Sequence, residues 1–279
     1  MSDDIQLIVQ AINKAAETDV IKDYIYPMLS GITFTLLAAG TAYFTVKHQE
    51  RKQQHIAANL AKLKASNKLI LSAQSALLNV ITIKQAYILD LPSDPILRML
   101  NIGQVECNYP LLDLPLEDFS FLSPSIDEID HASWENLAKI AVLMKNYNAT
   151  LGAWSKRNRF EDEVKMAILS VHGQKVIEPE ISIETIIDAA SAFKVGIAVD
   201  LNERSIELTD VIINDLHSFL TEFPKAVRPH IDVNAIKGYG KIIQYGNMAE
   251  SFNEIMLAKT PSADWEEYTK FMKGKSTGK

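Results

Sequence analysis

A single cysteine, Cys107, stands among 279 residues, so no internal disulfide can form. Neither Cys-x-x-Cys nor Cys/His metal spacing occurs, which points to a reducing compartment and a core held by packing. Cys107 reads as a small buried apolar side chain, since no basic neighbour in sequence lowers its pKa. With 11 Gly and 10 Pro and 47% hydrophobic residues the chain is neither collagen-like nor wholly disordered. Basic residues are outnumbered, 28 Lys+Arg against 35 Asp+Glu for a net charge of −7. Direct nucleic-acid binding usually needs the opposite surplus and is not expected.

Motifs that carry chemistry are also scarce. Gly274-Lys275-Ser276-Thr277 is half of a phosphate-binding loop, but Thr269 stands where the first glycine belongs and no chain is left for the following helix. His48, His55, His131, His172, His217 and His230 are scattered, and His48 and His55 lie seven apart, too far for one metal. His217 beside Asp215 reads as structural. Glu161 and Glu163 do not share a helix face and make a poor acid–base pair. No Gly-x-Ser-x-Gly turn occurs. The sequence therefore points to no catalytic, cofactor-binding or metal-ligating residue, and an enzyme is the last of the readings considered.

What the chain does have is one long run without charge. Tyr24–Val46 holds no Asp, Glu, Lys or Arg and is closed by Asp23 and Lys47. As a helix it spans about 34 Å, enough to cross a hydrocarbon core of ~30 Å. Tyr24, Tyr26, Tyr43 and Phe44 sit near its ends, where interfacial aromatics belong. Before the run, residues 1–23 carry Lys14 and Lys22 against Asp3, Asp4, Glu17, Asp19 and Asp23. After it come Lys47, Arg51, Lys52, Lys62, Lys64 and Lys68, with Glu50 the one acid up to residue 68. The positive-inside rule then places the N-terminus outside and the rest in the cytoplasm. An acidic leader and so long an apolar run argue against a cleaved signal peptide.

Within the run, Gly31, Thr35 and Ala39 recur every four residues, with Ala38 and Ala42 beside them. Small residues at this interval let helices approach closely in lipid, so this face allows self-association. Ahead of it, Ile5, Ile8, Val9, Ile12, Ala16 and Val20 give the N-terminal segment an amphipathic spacing. Leu69–Leu89 is the next most apolar window. A single crossing is preferred, because Lys84 within a second span costs about 2.5–3.5 kcal/mol on insertion scales.

Between Gly40 and Pro92 there is neither Gly nor Pro, which allows one uninterrupted helix. Ile56, Leu60, Leu63, Asn67, Ile70, Gln74, Leu77, Ile81, Lys84 and Ile88 step by four and three, a seam of period 3.5. A polar residue such as Asn67 can fix register between paired helices, but Gln74 and Lys84 dilute the seam, and a bundle helix facing its own chain is preferred over a coiled coil.

The remainder divides by composition. Residues 91–130 hold Pro92, Pro95, Pro110, Pro115 and Pro124 and read as a packed connection. Helices are expected over Asp127–Tyr147, Trp154–Val171, Ile181–Val199 and Ser205–Phe223, the last ended by Pro224. The charges from Lys156 to Lys165 read as a solvated, salt-bridged face. Residues 225–279 form an irregular tail with short helices at Asn247–Leu257 and Ala263–Met272. No run of alternating strands is present. The expected fold is all-α: an N-terminal segment (1–23), a transmembrane helix (24–46), a membrane-proximal helix (47–90), the connection (91–130), a helical bundle (131–224) and the tail (225–279).

This order of segments resembles membrane-anchored effectors of bacterial anti-phage systems, including accessory proteins encoded beside retron reverse transcriptases. The likeness is carried by residues 24–90, by Ile126-Asp-Glu-Ile-Asp130 and by the stretch Trp134–Arg159, WENLAKIAVLMKNYNATLGAWSKRNR. It implies a bacterial inner-membrane protein held silent until infection, which then damages the membrane and arrests the cell. Its partners would be the bilayer, an unidentified cytoplasmic protein and further copies of itself. A passive membrane-tethered scaffold is the second reading and a membrane-anchored enzyme the third.

Overall fold

The computed structural model describes residues 2–17, 26–89, 91–122, 133–173, 182–246, 250–266 and 268–269. All regular elements among the described residues are helical. The chain divides into two compact units, Met1–Ala58 and Asn59–Lys279.

The first unit contains α1 (Ser2–Glu17) and the start of α2 (Tyr26–Gln85). Pro27 opens α2 where its missing N–H costs nothing, and the absence of any later Gly or Pro beyond Gly40 leaves the helix unbroken for 60 residues. Met28, Leu29, Ile32, Phe34, Leu36 and Leu37 are all exposed within this unit. This helix is long and apolar enough to cross a membrane, and it lies near the N-terminus. Tyr24, at the start of the expected span, lies outside the described residues.

The second unit is built on the rest of α2 together with α3 (Pro95–Asn101), α4 (Leu137–His172), α5 (Ile183–Ala190), α6 (Ala192–Val227) and α7 (Glu250–Leu257). Leu69, Ile70, Ala73, Ala76, Leu77, Val80 and Ile83 are at most 2% exposed, so the second apolar window is core. Ile96 and Met99 from α3, Val164 and Ile168 from α4, Ile186 and Ile187 from α5, and Val195 and Val199 from α6 form one continuous cluster. A second apolar region stacks Phe219 on Phe223, with centroids 4.6 Å apart, and sets Trp134 edge-on to Phe219 at 5.2 Å.

Caps explain where the helices begin. Asp94 Oδ1 accepts from the backbone N–H of Ile96 and Leu97 at 2.9 and 2.8 Å, with Pro95 in the first turn. Asn136 accepts from Ala138 and Lys139, and Ser182 from Thr185. Gly173, at φ 60°, closes α4 in the left-handed region that favours glycine.

Several sequence expectations are corrected. From Leu137 on, the two expected segments Asp127–Tyr147 and Trp154–Val171 are one helix, because Gly152 leaves the hydrogen-bond ladder intact; 133–136 form a turn and the N-cap, and 127–132 lie outside the described residues. The helix expected over Ile181–Val199 is broken at Ser191, whose φ of 70° turns the chain between α5 and α6 while its hydroxyl accepts from Lys194 N–H. Past that break α6 runs through 200–204 and through Pro224 as far as Val227. Leu220, Phe223, Pro224 and Val227 are all buried, and this packing offsets the one backbone bond a proline removes from the last turn. On α6 Val211 is exposed, whereas Ile212 and Ile213 are buried. In the tail, α7 fits the first expected helix, while Ala263–Met272 lies partly outside the described residues.

Candidate functional site

Every described hydroxyl in the apolar stretch of α2 is satisfied by its own helix. Ser30 donates to Pro27 O at 2.9 Å, Thr33 to Leu29 O at 2.7 Å, and Thr35 to Gly31 O at 2.8 Å. Thr41 donates to Leu37 O and Thr45 to Thr41 O, each at 2.8 Å. A helix that closes its polar groups onto its own backbone asks nothing of the surrounding solvent, which is the condition hydrocarbon imposes. At the end of the stretch, Lys47 reaches back to the Tyr43 hydroxyl at 3.3 Å, and Tyr43 meets Phe44 edge-on at 5.8 Å. A cation beside an aromatic ring at the end of an apolar helix is a pairing that membrane interfaces favour.

Gly31, Thr35, Ala38, Ala39 and Ala42 are all exposed and fall within one arc of about 100° on the helix. A Cβ added at Gly31 would meet nothing within 4 Å, so packing inside this chain does not require glycine there. Helical glycine costs about 1 kcal/mol relative to alanine, and the return would have to come from outside the unit.

In the second unit α2 behaves differently. Along the expected seam, Leu63, Ile70, Leu77, Ile81 and Lys84 are buried, and Leu60, Asn67 and Gln74 are half-buried. Ile56, in the first unit, is half-buried. The polar side chains of this stretch hold the C-terminal tail along the helix. Asn59 Oδ1 accepts from Asp232 N–H at 2.8 Å, and Lys62 donates to His230 O at 3.0 Å. Asn67 donates to Lys241 O and accepts from Ile243 N–H, both at 2.9 Å. Between them the chain passes so close that a Cβ on Gly240 would lie 3.3 Å from Leu63 Cδ2, and Gly240 takes φ 151° to do so.

Lys84 completes this clasp. It is fully buried, pairs with Asp210 at 2.7 Å, and donates to the carbonyls of Met256, at 2.9 Å, and Ala258. Asp210 accepts in turn from Thr260 N–H at 2.7 Å and from the Thr260 hydroxyl at 3.0 Å. Burial, and next the charge of Asp210, push the nearby Tyr87 hydroxyl far above the usual tyrosine pKa. The Tyr87 ring stacks on Trp154 at 5.6 Å, and Trp154 Nε1 donates to Thr209 at 2.8 Å.

A second buried cation serves the proline-rich connection. Arg157 donates to Met99 O at 2.7 Å, to Gly103 O at 2.8 Å and to Ile102 O, and it pairs with the fully buried Glu161 at 3.3 Å. Burial lowers the Arg157 pKa, opposed by Glu161 and Asp162. Arg98 lies 3.4 Å from Glu203 and donates to Pro261 O at 2.9 Å. Burial raises the Glu203 pKa, opposed by Arg98 and then by Asn202. The reading of 156–165 as a wholly solvated face is thus corrected: Arg157, paired with the buried Glu161, donates to carbonyls that the end of α3 and the residues just after it leave without a helical partner. Their i, i+4 spacing, continued by Lys165, was the available signal.

These charges neutralise one another inside the fold and open onto no described cleft. A cleft of about 140 Å³ lies between Ser72, Asn79, Pro110, Asp113 and Tyr147, and one of about 290 Å³ between Pro224, Lys225, Arg228 and Tyr245. His217 meets Tyr245 edge-on at 5.9 Å, and its neighbour Asp215 has its pKa raised by burial. Cys107 is half-buried, and burial, with Glu106 next, pushes its thiol pKa up, against reactivity. Glu163 pairs with Lys194 at 3.7 Å, apart from Glu161. Among the described residues no three His, Cys, Asp or Glu side chains are grouped to hold a metal ion. No family model, curated protein or solved structure matches the chain.

Proposed function

We propose that this chain is a single-pass plasma-membrane protein, N-terminus outside, whose cytoplasmic helical bundle controls a membrane helix that associates with copies of itself. It acts as a non-enzymatic effector, through protein–protein contacts and helix association, and its output is disruption of the membrane in anti-phage defence. The observation that carries the reading is the exposed apolar stretch from Met28 to Val46, whose serine and threonine hydroxyls bond within their own helix. The exposed glycine in the Gly31–Ala42 arc supports association, and the basic run from Lys47 to Lys68 supports the orientation. Nothing on the apolar stretch is charged, so damage requires assembly of several copies or help from a polar-faced segment.

The test follows membrane potential in cells induced to express the full chain or the same chain without residues 1–46. Depolarisation and growth arrest with the full chain alone are expected. Intact potential with both, in the presence of the activating trigger, would sink the effector reading. A passive scaffold is the second reading, favoured by the polar-rimmed cleft at Ser72, Asn79, Asp113 and Tyr147. In that case an unrelated apolar helix in place of 24–46 preserves function, whereas an effector loses it.

A further inference from the structure

Helix α1 presents a face that nothing in its own unit covers. Ile5, Ile8, Val9 and Ile12 are 59%, 59%, 49% and 61% exposed. At about 100° per residue they fall in one stripe, with Asp3, Gln6, Gln10 and Lys14 on the other side. Leu7, also exposed, lies on the polar side and breaks the pattern. A helix of 16 residues is marginal in water by itself, so a stripe of this kind needs a covering surface.

We infer that this surface is lipid: α1 lies in the plane of the outer leaflet, its Ile5–Ile8–Val9–Ile12 stripe sunk into the boundary between headgroups and acyl chains. The inference rests on the reading of 26–46 as a span and says where the segment before it goes. Residues 18–25 separate the two helices. Even fully extended they reach only about 26–29 Å, so α1 stays within that distance of the bilayer surface. Such a tether replaces a bimolecular encounter by a local one and makes a short stripe sufficient. Charge selects the kind of lipid. Asp3, Asp4 and Glu17 outnumber Lys14 on this helix, so anionic headgroups do not hold it, and apolar burial into a zwitterionic surface does. The same balance keeps α1 on the side opposite the basic run after Lys47. In this position α1 supplies the polar-faced surface that the apolar span lacks, and it makes α1 the element that thins or wedges the leaflet when copies gather.

The test uses the full chain in phosphatidylcholine vesicles, in a Cys107→Ala background, with an environment-sensitive fluorophore at a single introduced cysteine: Ile8→Cys, Gln10→Cys or Leu37→Cys. Nitroxide lipids carry the quencher either near the headgroup or deep in the acyl chain. The label at 37 should be quenched by the deep nitroxide. The label at 8 should be quenched by the shallow nitroxide about threefold more than the label at 10, as expected for a stripe set ~5–10 Å into the boundary. If 37 is quenched while 8 and 10 respond alike, the in-plane helix is overturned and the span stands. A shielded but unquenched label at 8 would mean a protein partner, such as a second copy, and also overturns it. No quenching at 37 overturns the span and takes the in-plane helix with it.

Discussion

Two stretches of the same helix place their apolar and polar groups differently. From residue 28 to 46 the apolar side chains are exposed, and the serine and threonine hydroxyls bond to carbonyls three or four residues back in the same helix. From Asn59 to Lys84 one side of the helix is buried, with Leu71 and Leu78 left exposed, and Asn59, Lys62, Asn67, Asn79 and Lys84 bond to groups 68 to 176 residues away. Composition alone would call both stretches apolar. Ser66 and Thr82 close onto Lys62 O and Leu78 O of their own helix just as the hydroxyls of the first stretch do, so what separates the two is burial and the long-range bonds of amides and lysines, which the first stretch lacks.

The sharpest way to break this contrast is at Lys84. Lys84→Met leaves Asp210 buried without its cation and the carbonyls of Met256 and Ala258 without a donor. A loss of about 3–5 kcal/mol is expected, read by denaturant unfolding of the detergent-solubilised chain. Adding Asp210→Leu should recover part of it, because no unpaired charge is then buried. In the other stretch the comparable change is Leu37→Arg, placed at mid-span. It should cost about 3 kcal/mol of insertion and move the chain out of the membrane fraction, with the unfolding midpoint of the second unit unchanged.

Smaller effects sharpen the comparison. Ser191→Gly relieves a positive φ while giving up only a weak cap, so thermal unfolding should show a gain of about 1 kcal/mol. Thr33→Val removes a hydroxyl that serves only Leu29 O of its own turn, and should change neither membrane retention nor stability by more than about 0.5 kcal/mol. By contrast, replacing Asn67, of similar polarity, frees two backbone groups of the tail, at Lys241 and Ile243, and costs about 1–3 kcal/mol.

Much of the helical content was legible because it is written in local rules: the charge-free run, the absence of Gly and Pro from 41 to 91, the period of 3.5, and caps such as Asp94 ahead of Pro95. Where these rules compete, the reading failed. Pro224 signals a helix end, yet burial of Phe223 and Val227 carries α6 past it. Ser191 gives no sequence sign of a positive φ, yet it splits two helices. The clasp was illegible for a different reason. Apart from their carboxylate partners Asp210 and Glu161, Lys84 and Arg157 are held by backbone carbonyls of Met256, Ala258, Met99 and Gly103, and every residue carries such a carbonyl, so beyond the i, i+4 pair the pattern of side chains holds little trace of the partnership.

The central claim is that residues 1–46 tie the chain to the membrane, while the second unit folds in water. Alkaline carbonate washing, followed by sedimentation, tests it directly on the full chain and on a chain lacking residues 1–46. The account predicts the full chain in the pellet and the shortened chain in the supernatant, with its helical signal retained. A shortened chain that stays in the pellet, or a full chain released by the wash, would contradict it.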